Sequence, residues 1–345
     1  MARVRDAAYG GRRRLPPRGR PGEPRLIELS EIRVAARRIA GRVHRTPLIP
    51  QRTIGERAGV RLHLKCESFQ KTGSFKPRGA LNKVLTLSDA ERARGIITVS
   101  AGNHAQAVAW AAKSVAAPCA VVMPASAPRP KLEAVRGYGA EIVLHEDRAT
   151  LFDKLHEVRE ARGMTFVHPF DDPVVLAGAG TVGLEIVEDL PDVEAVVVPV
   201  GGGGLMGGVT SAVKAMKPNV RVVAVELAAG PGMTPALAAG KPVPAPRPAD
   251  TLCAGMTPPF VGALPLAIAR EAVDEIVLVS EAQVLDALEL LLTRAKLVAE
   301  GSGAAATAAV LAGFGHLPRG ARVAAILSGG NADPERTLAA LASRG

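Results

Sequence analysis

Four short segments hold the residue types and spacings from which chemistry could be built. Thr72-Gly73-Ser74-Phe75-Lys76-Pro77-Arg78-Gly79 sets a lysine at the entrance to a helix, with a proline in the first turn where a missing N–H costs least. The positive end of a helix dipole disfavours a protonated amine, and a neutral amine is what Schiff-base chemistry requires. Taken alone, the segment is equally a solvated lysine beside a turn. Ser100-Ala101-Gly102-Asn103-His104-Ala105-Gln106 opens another helix, whose free N–H groups can bind an anion such as a carboxylate. Asn103 can offer an amide to a ring substituent; the plain alternative is an asparagine cap beside a packed His104. Gly201-Gly202-Gly203-Gly204 lets backbone N–H groups wrap a phosphate. It is not a P-loop, because no Gly-Lys-Ser/Thr follows, nor a GxGxxG dinucleotide fingerprint in its usual place near the chain start. A flexible turn would explain it too, but four consecutive glycines raise the entropy lost on folding. In Leu327-Ser328-Gly329-Gly330-Asn331 a hydroxyl can hydrogen-bond a heterocyclic nitrogen without delivering a full charge, unless the segment is an ordinary strand-to-helix turn.

The elements around these segments alternate. Ser30 can cap a helix over 31–39, residues 44–50 read as a loop, 62–66 as a strand and 75–85 as a helix. Strands are expected at 96–99, 119–123, 141–144 and 165–167, with helices at 104–114, 130–138 and 149–162 between them. After a loop near Pro169, helices at 178–189, 206–216, 265–271, 280–295 and 303–312 alternate with strands at 195–200, 220–226, 275–279 and 323–327. Residues 228–262 are rich in Pro, Ala and Gly and read as a long excursion. The pattern is that of an α/β protein with two open, twisted, mostly parallel sheets flanked by helices. The expected division is a small domain over 95–170, a large one from 27–94 and 171–345, and a ligand in the cleft between them. All four chemical segments fall just after strands or at helix starts, where open α/β sheets place their ligands.

Composition removes several classes. The net charge of +10 suggests a nucleic-acid surface, but residues 1–26 hold eight Arg against Asp6 and Glu23, leaving only +4 for the rest. That stretch has no apolar period and reads as a disordered basic tail; a single aromatic residue, Tyr9, stands among its arginines, so nucleic acid is not the expected partner. The longest apolar runs are strand-length, and no hydrophobic leader core follows the first methionine, so neither a membrane span nor secretion is expected. Cys66, Cys119 and Cys253 are isolated, form no CxxC pair and fit a reducing cytoplasm.

Together the segments supply a lysine, a phosphate cradle, an anion-binding helix start and a ring-nitrogen partner, which is what pyridoxal 5′-phosphate (PLP) requires of its host. Lys65-Cys66-Glu67 followed by Gln70-Lys71-Thr72-Gly73-Ser74-Phe75-Lys76-Pro77-Arg78-Gly79-Ala80 resembles the PLP-attachment signature of the serine/threonine dehydratases. These belong to the tryptophan-synthase-β-like enzymes, fold type II. Ser100 to Gln106, Gly201 to Leu205 and Ser328 to Asn331 match in order and approximate spacing, and the resemblance covers roughly residues 27–340.

The resemblance implies roles. Lys76 would hold the cofactor and later move the substrate α-proton, and Phe75 would pack on the pyridine face. Asn103 would bond the phenolic oxygen, Gly201, Gly202, Gly203 and Gly204 the phosphate, and Ser328 the pyridine nitrogen. Ser100, Gly102, Asn103 and His104 would bind the substrate carboxylate. The implied reaction is α,β-elimination from L-threonine or L-serine, ending in a 2-oxo acid and ammonia, with the cofactor phosphate assisting the departing hydroxyl. Racemases of this family place a second Ser after Ser100; Ala101 stands there, so racemisation or β-replacement is the runner-up. A non-catalytic PLP- or amino-acid-binding protein is a third reading, against which intact Lys76, Asn103 and Ser328 stand. The late-loop Ala-Asp-Gly of the family reads Cys253-Ala254-Gly255 here, and Ala179 replaces its Gln. Some members bind a divalent or monovalent cation through a Glu and an Asp six residues on; Glu226 is present, with backbone carbonyls as further candidate ligands, but Gly232 fills the other place. Glu300 matches an acidic residue that belongs to that cation site or orients the active site. With nothing after residue 345, no C-terminal regulatory domain is expected, which favours a catabolic-type enzyme. The family assembles as homodimers or homotetramers.

Overall fold

The structure, a computed structural model, describes residues 26–248 and 250–343. In chain order its elements begin with α1 (Leu29–Ile39), β1 (Leu48–Pro50), α2 (Arg52–Ala58), β2 (Arg61–Cys66), α3 (Lys76–Val84) and α4 (Asp89–Arg94). There follow β3 (Ile96–Val99), α5 (Asn103–Lys113), β4 (Cys119–Pro124), α6 (Arg129–Gly137), β5 (Glu141–His145), α7 (Leu151–Arg162) and β6 (Thr165–Phe166). The remainder is α8 (Pro173–Asp189), β7 (Ala195–Pro199), α9 (Gly204–Met216), β8 (Arg221–Leu227), α10 (Met233–Ala239), α11 (Ala263–Ala272), β9 (Glu275–Val279), α12 (Glu281–Leu290), α13 (Gly301–Leu311), β10 (Arg322–Leu327) and α14 (Pro334–Ala342).

Among the described residues the strands form two sheets, ordered β1-β2-β10-β7-β8-β9 and β5-β4-β3-β6. Every pairing is parallel except β1 with β2. Strands covered on both faces must be apolar throughout, and β3, β4 and β7 are buried at every position. The C-terminal ends of β7 and β10 lead into the tetraglycine and Ser328, and that of β3 into Ser100.

Several elements differ from expectation for identifiable reasons. The helix expected from 178 begins at Pro173, because Asp172 caps it by accepting from Val174 N and Val175 N. Its glycines pack helices rather than break one: a Cβ on Gly178 would strike the Arg78 carbonyl, and one on Gly180 the Gly208 carbonyl. Ser30 is not the cap of α1; Glu28 and Glu31 form a capping box instead. The loop expected over 44–50 ends in β1, and the excursion of 228–262 contains α10. The last turn before Lys296, at Leu291–Ala295, is π-helical. The basic tail expected over 1–26 lies, apart from Leu26, outside the described residues. Among the described residues no helix is long and apolar enough to cross a membrane.

Candidate active site

The segment carrying Lys76 is bolted from beneath by a buried ion cluster. Arg78 is fully buried and donates to both oxygens of Glu67, at 2.8 and 2.9 Å, and to both oxygens of Glu185, at 2.6 and 2.9 Å. Lys65, also fully buried, reaches Glu185 at 2.6 Å and the Thr46 carbonyl at 2.7 Å. The turn above it is strained, with Thr72 at φ 57° in the left-handed region. Lys76 stands at the first position of α3, and its Nζ donates to the Pro169 carbonyl at 2.7 Å. Burial pushes its amine down to about 8, which makes a neutral nucleophile accessible near neutral pH.

Pro169 and Phe170 connect this lysine to the tetraglycine, since a Cβ added at Gly202 would run into the Phe170 ring. The other glycines face equally close neighbours: Gly201 the Gly255 carbonyl, Gly203 the side chains of Pro265 and Met233, and Gly204 the Phe170 backbone. Gly203 has φ 94°, in the left-handed region glycine favours. α9 starts at Gly204, so the N–H groups of its first turn have no intrahelical acceptor and suit an anion. Phe170 also belongs to an aromatic group with His168, Phe166, Phe152 and Phe260, centroid separations running from 4.7 Å to 6.4 Å. His168 accepts from the backbone N–H groups of Phe170 and Asp171 through Nδ1. Burial holds its imidazole down at about 4, so it is neutral.

Ser328 sits at the end of β10 against the lysine segment: its carbonyl accepts from Phe75 N at 3.1 Å, and Ser74 bridges Gly329. Its hydroxyl, buried, lies 3.4 Å from the Ser302 carbonyl, while Ser302 Oγ accepts from Gly255 N at 3.0 Å. Asn103 donates through Nδ2 to Glu300 at 2.6 Å, and its Oδ1 accepts from Asn331 at 2.8 Å. Burial raises the Glu300 carboxyl to about 7, against the opposing bond from Asn103.

The structure thus brings together Lys76, Phe75, Asn103, Ser328 and Gly201 to Gly204, with Ser100 and Gly102 in the turn leading to Asn103. Ser100 Oγ accepts from Gly102 N at 3.1 Å, shaping that turn. His104 points elsewhere: it is buried, its Nε2 lies 3.1 Å from the Val167 carbonyl, and burial together with the Lys76 charge holds it neutral. A carbonyl only accepts, so Nε2 carries the only proton of the neutral ring, and the side chain cannot also donate to a carboxylate. Only its backbone N–H, in the first turn of α5, is left for the expected role.

Glu226 is likewise placed otherwise than expected. It accepts from Gly232 N, Met233 N and Thr234 N at 2.5–2.9 Å, and from the Thr234 hydroxyl at 2.6 Å. Its carboxylate therefore caps α10, and the hydrogens crowding both oxygens oppose a cation. Among the described residues no group of three acidic, His or Cys side chains could hold a metal ion. As placed, Glu226 has no oxygen free for the expected cation.

The donor set does fit PLP. A buried amine held towards its neutral form, a run of four glycines at a helix start too tightly packed for side chains, an amide and a hydroxyl meet at one place. Four buried polar atoms around the lysine segment and the turn facing it, Ser68 Oγ, Thr72 Oγ1, Ser74 Oγ and His104 Nδ1, have no protein partner. Such orphans are rare in folded chains and call for an explanation, which a bound polar ligand beside the lysine segment would supply. Sequence reasoning missed Pro169, Phe170 and Ser302 as parts of this site, and gave no role to Ser74 and Asn331 within the segments it singled out. None carries an ionisable group or a glycine run, so no local signal distinguished them.

Fold and site together define a PLP enzyme, and comparison agrees: the model of the pyridoxal-phosphate dependent enzyme family matches residues 39–329. The chain belongs to that family. It is 45% identical to the L-threonine ammonia-lyase of Thermotoga maritima over 89% of this chain and 76% of that one. It is 41% identical to the catabolic L-threonine dehydratase of Escherichia coli over 90% of this chain and 94% of that one. The structure of maize serine racemase superposes with a TM-score of 0.86 at 34% identity, covering 93% of this chain and 98% of that one.

Proposed function

We propose that this chain is a PLP-dependent L-threonine ammonia-lyase that also accepts L-serine, releasing a 2-oxo acid and ammonia. The observation carrying this reading is the convergence of a neutral-prone Lys76 amine with the tetraglycine, Asn103 and Ser328, in a chain whose relatives act on L-threonine. When bound, PLP supplies an electrophilic carbon for amines and an electron sink for the substrate Cα–H bond. Lys76 would hold the cofactor and, as a free amine, would serve as the base at Cα. N–H groups of Gly201 to Gly204 and the first turn of α9 hold the phosphate. Phe75 packs on the ring, and Asn103 donates to the phenolic oxygen. The Ser328 hydroxyl meets the ring nitrogen without giving it a full positive charge, which restrains the sink and favours expulsion of the β-hydroxyl. The turn from Ser100 to Asn103 binds the substrate carboxylate through its N–H groups and the Ser100 hydroxyl.

Ala101 leaves that turn without a second proton carrier, which argues against racemisation although the scaffold is shared with a racemase. The same reading assigns residues 95–170 to a small domain and 27–94 with 171–345 to a large one, with assembly as a homodimer or homotetramer. Free, buried Cys66, Cys119 and Cys253 support a reducing, cytoplasmic setting.

The test is oxo-acid release from L-threonine and L-serine by wild type and Lys76→Ala. Release by wild type and none by the variant is expected. D-serine accumulating without oxo acid would replace this reading by racemisation, and release that needs an added nucleophile would replace it by β-replacement.

A further inference from the structure

A carboxamide has two orientations of similar shape and opposite hydrogen-bonding sense, so a functional asparagine needs something to choose between them. Around Asn103 the structure holds a directed chain. Asn331 Nδ2 donates to the Thr72 carbonyl at 2.7 Å and to Asn103 Oδ1 at 2.8 Å. Asn103 Nδ2 in turn donates to Glu300 Oε1 at 2.6 Å. At one end stands a backbone carbonyl, which only accepts. At the other is a carboxylate, which when ionised also only accepts. Flipping Asn331 would set its oxygen against the Thr72 carbonyl, and flipping Asn103 would set its amino group against that of Asn331 and, with Glu300 ionised, its oxygen against that carboxylate. Both N–H groups of Asn331 are engaged, whereas Asn103 keeps one free.

Two glycines make room for this chain. A Cβ on Gly73 would strike Asn331 Oδ1, and a Cβ on Gly329 would strike Glu300 Oε1 and crowd Asn103 Nδ2. Gly329 further fixes the acid, because its carbonyl accepts from Glu300 N at 3.1 Å. The three side chains come from different parts of the fold: the start of α5, the turn before α13 and the loop after β10.

We infer that Asn331 and Glu300 are positioning residues that lock the Asn103 carboxamide with its amino end available to the phenolic oxygen of PLP. The inference rests on the reading of Asn103 as the partner of that oxygen. Glu300 and Asn331 themselves need not touch the cofactor; they act through Asn103.

The test uses the holoenzyme and two readouts besides turnover: the PLP dissociation constant and the ratio of the visible to near-ultraviolet absorbance bands of bound cofactor. That ratio reports where the proton near the phenolic oxygen resides. Asn103→Ala sets the baseline and should shift the ratio. Asn331→Asp cannot donate to Thr72 or to Asn103; it attracts the Asn103 amino group and turns the amide over. It should reproduce the spectral shift of Asn103→Ala and raise the PLP dissociation constant about tenfold, the change one lost hydrogen bond of ordinary strength produces. Glu300→Gln retains an acceptor and should restore the wild-type ratio, whereas Glu300→Ala should not. Far-ultraviolet circular dichroism establishes that each variant is folded, and Asn331→Ala, which removes the donor without adding charge, gives the same test should Asn331→Asp misfold. A wild-type ratio in folded Asn331→Asp or Asn331→Ala, with a shifted one in Asn103→Ala, overturns the inference and leaves the role of Asn103 standing. A wild-type ratio in Asn103→Ala itself overturns both.

Discussion

Replacing Arg78 by methionine tests whether the buried ion cluster holds the catalytic lysine in place. The guanidinium is fully buried and matched on every side, by Glu67 and Glu185 through paired bonds and by Thr181, Thr46 and the His44 carbonyl through longer ones. Two buried cations, Arg78 and Lys65, balance two buried carboxylates, Glu67 and Glu185. Methionine fits the stem but leaves one negative charge uncompensated, and Glu67 then keeps only the Thr46 hydroxyl among its side-chain donors. Breaking a buried pair from one side costs about 3–5 kcal/mol, and here Glu67 loses its cation while Glu185 keeps Lys65. With a urea m-value of about 3 kcal/mol/M, the unfolding midpoint should fall by about 1–1.7 M. The measurement is urea unfolding of the holoenzyme followed by circular dichroism. Arg78→Lys keeps the charge but not the planar fork, and its midpoint should fall between the two. Arg78→Met combined with Glu67→Leu restores neutrality and should recover part of the loss. A midpoint for Arg78→Met within about 0.3 M of wild type would refute the argument, meaning that desolvation and attraction already cancel in the native cluster.

Three further outcomes follow from the geometry of the site. Burial sets the Lys76 amine to about 8, so covalent capture of PLP by apo-enzyme, trapped with borohydride, should speed up about fivefold from pH 7 to 8 and level off above about pH 9. The linked stability has a definite sign: the folded pKa lies below the ordinary 10.5, the unfolded chain binds more protons between these values, and apo-enzyme should gain about 3 kcal/mol across that window as pH rises. A capture rate that is flat from pH 7 to 9 would contradict both. Gly202→Ala places a methyl group against the Phe170 ring. It should cost about 1–3 kcal/mol and weaken PLP binding in proportion, with Phe170→Ala relieving part of the loss in the double variant; unchanged binding by Gly202→Ala alone would show that Phe170 is not the wall of the cradle.

What was legible in the sequence had a local cause. β3 and β9 match their expected bounds at 96–99 and 275–279 because a run of apolar β-branched residues ended by turn residues can be little else. The four chemical segments were legible because glycine runs, a lysine before proline and an asparagine at a helix start each carry a local physical signature. α8 begins at Pro173, ahead of its expected start at 178, because Asp172 caps it there, and its glycines serve the close passage of α3 and α9, which no local pattern reveals.

The side chains of His104 and Glu226 depart from their expected roles on the same ground. Both residue types suit the chemistry expected of them, but what a side chain does depends on which partner reaches it first. Val167 reaches the His104 ring across 63 positions of sequence. The start of α10 reaches Glu226 because Gly232 supplies an N–H where a carboxylate would have gathered a cation. The contacts of the site that no motif announced run over longer spans still: Lys76 to Pro169 across 93 residues, Asn103 to Glu300 across 197 and Thr72 to Asn331 across 259. Motifs therefore name the groups that meet the cofactor, because those must be of fixed chemical type. The residues that aim them can be any that supply a donor or acceptor at the right place, and that choice is written in the fold rather than in any one segment.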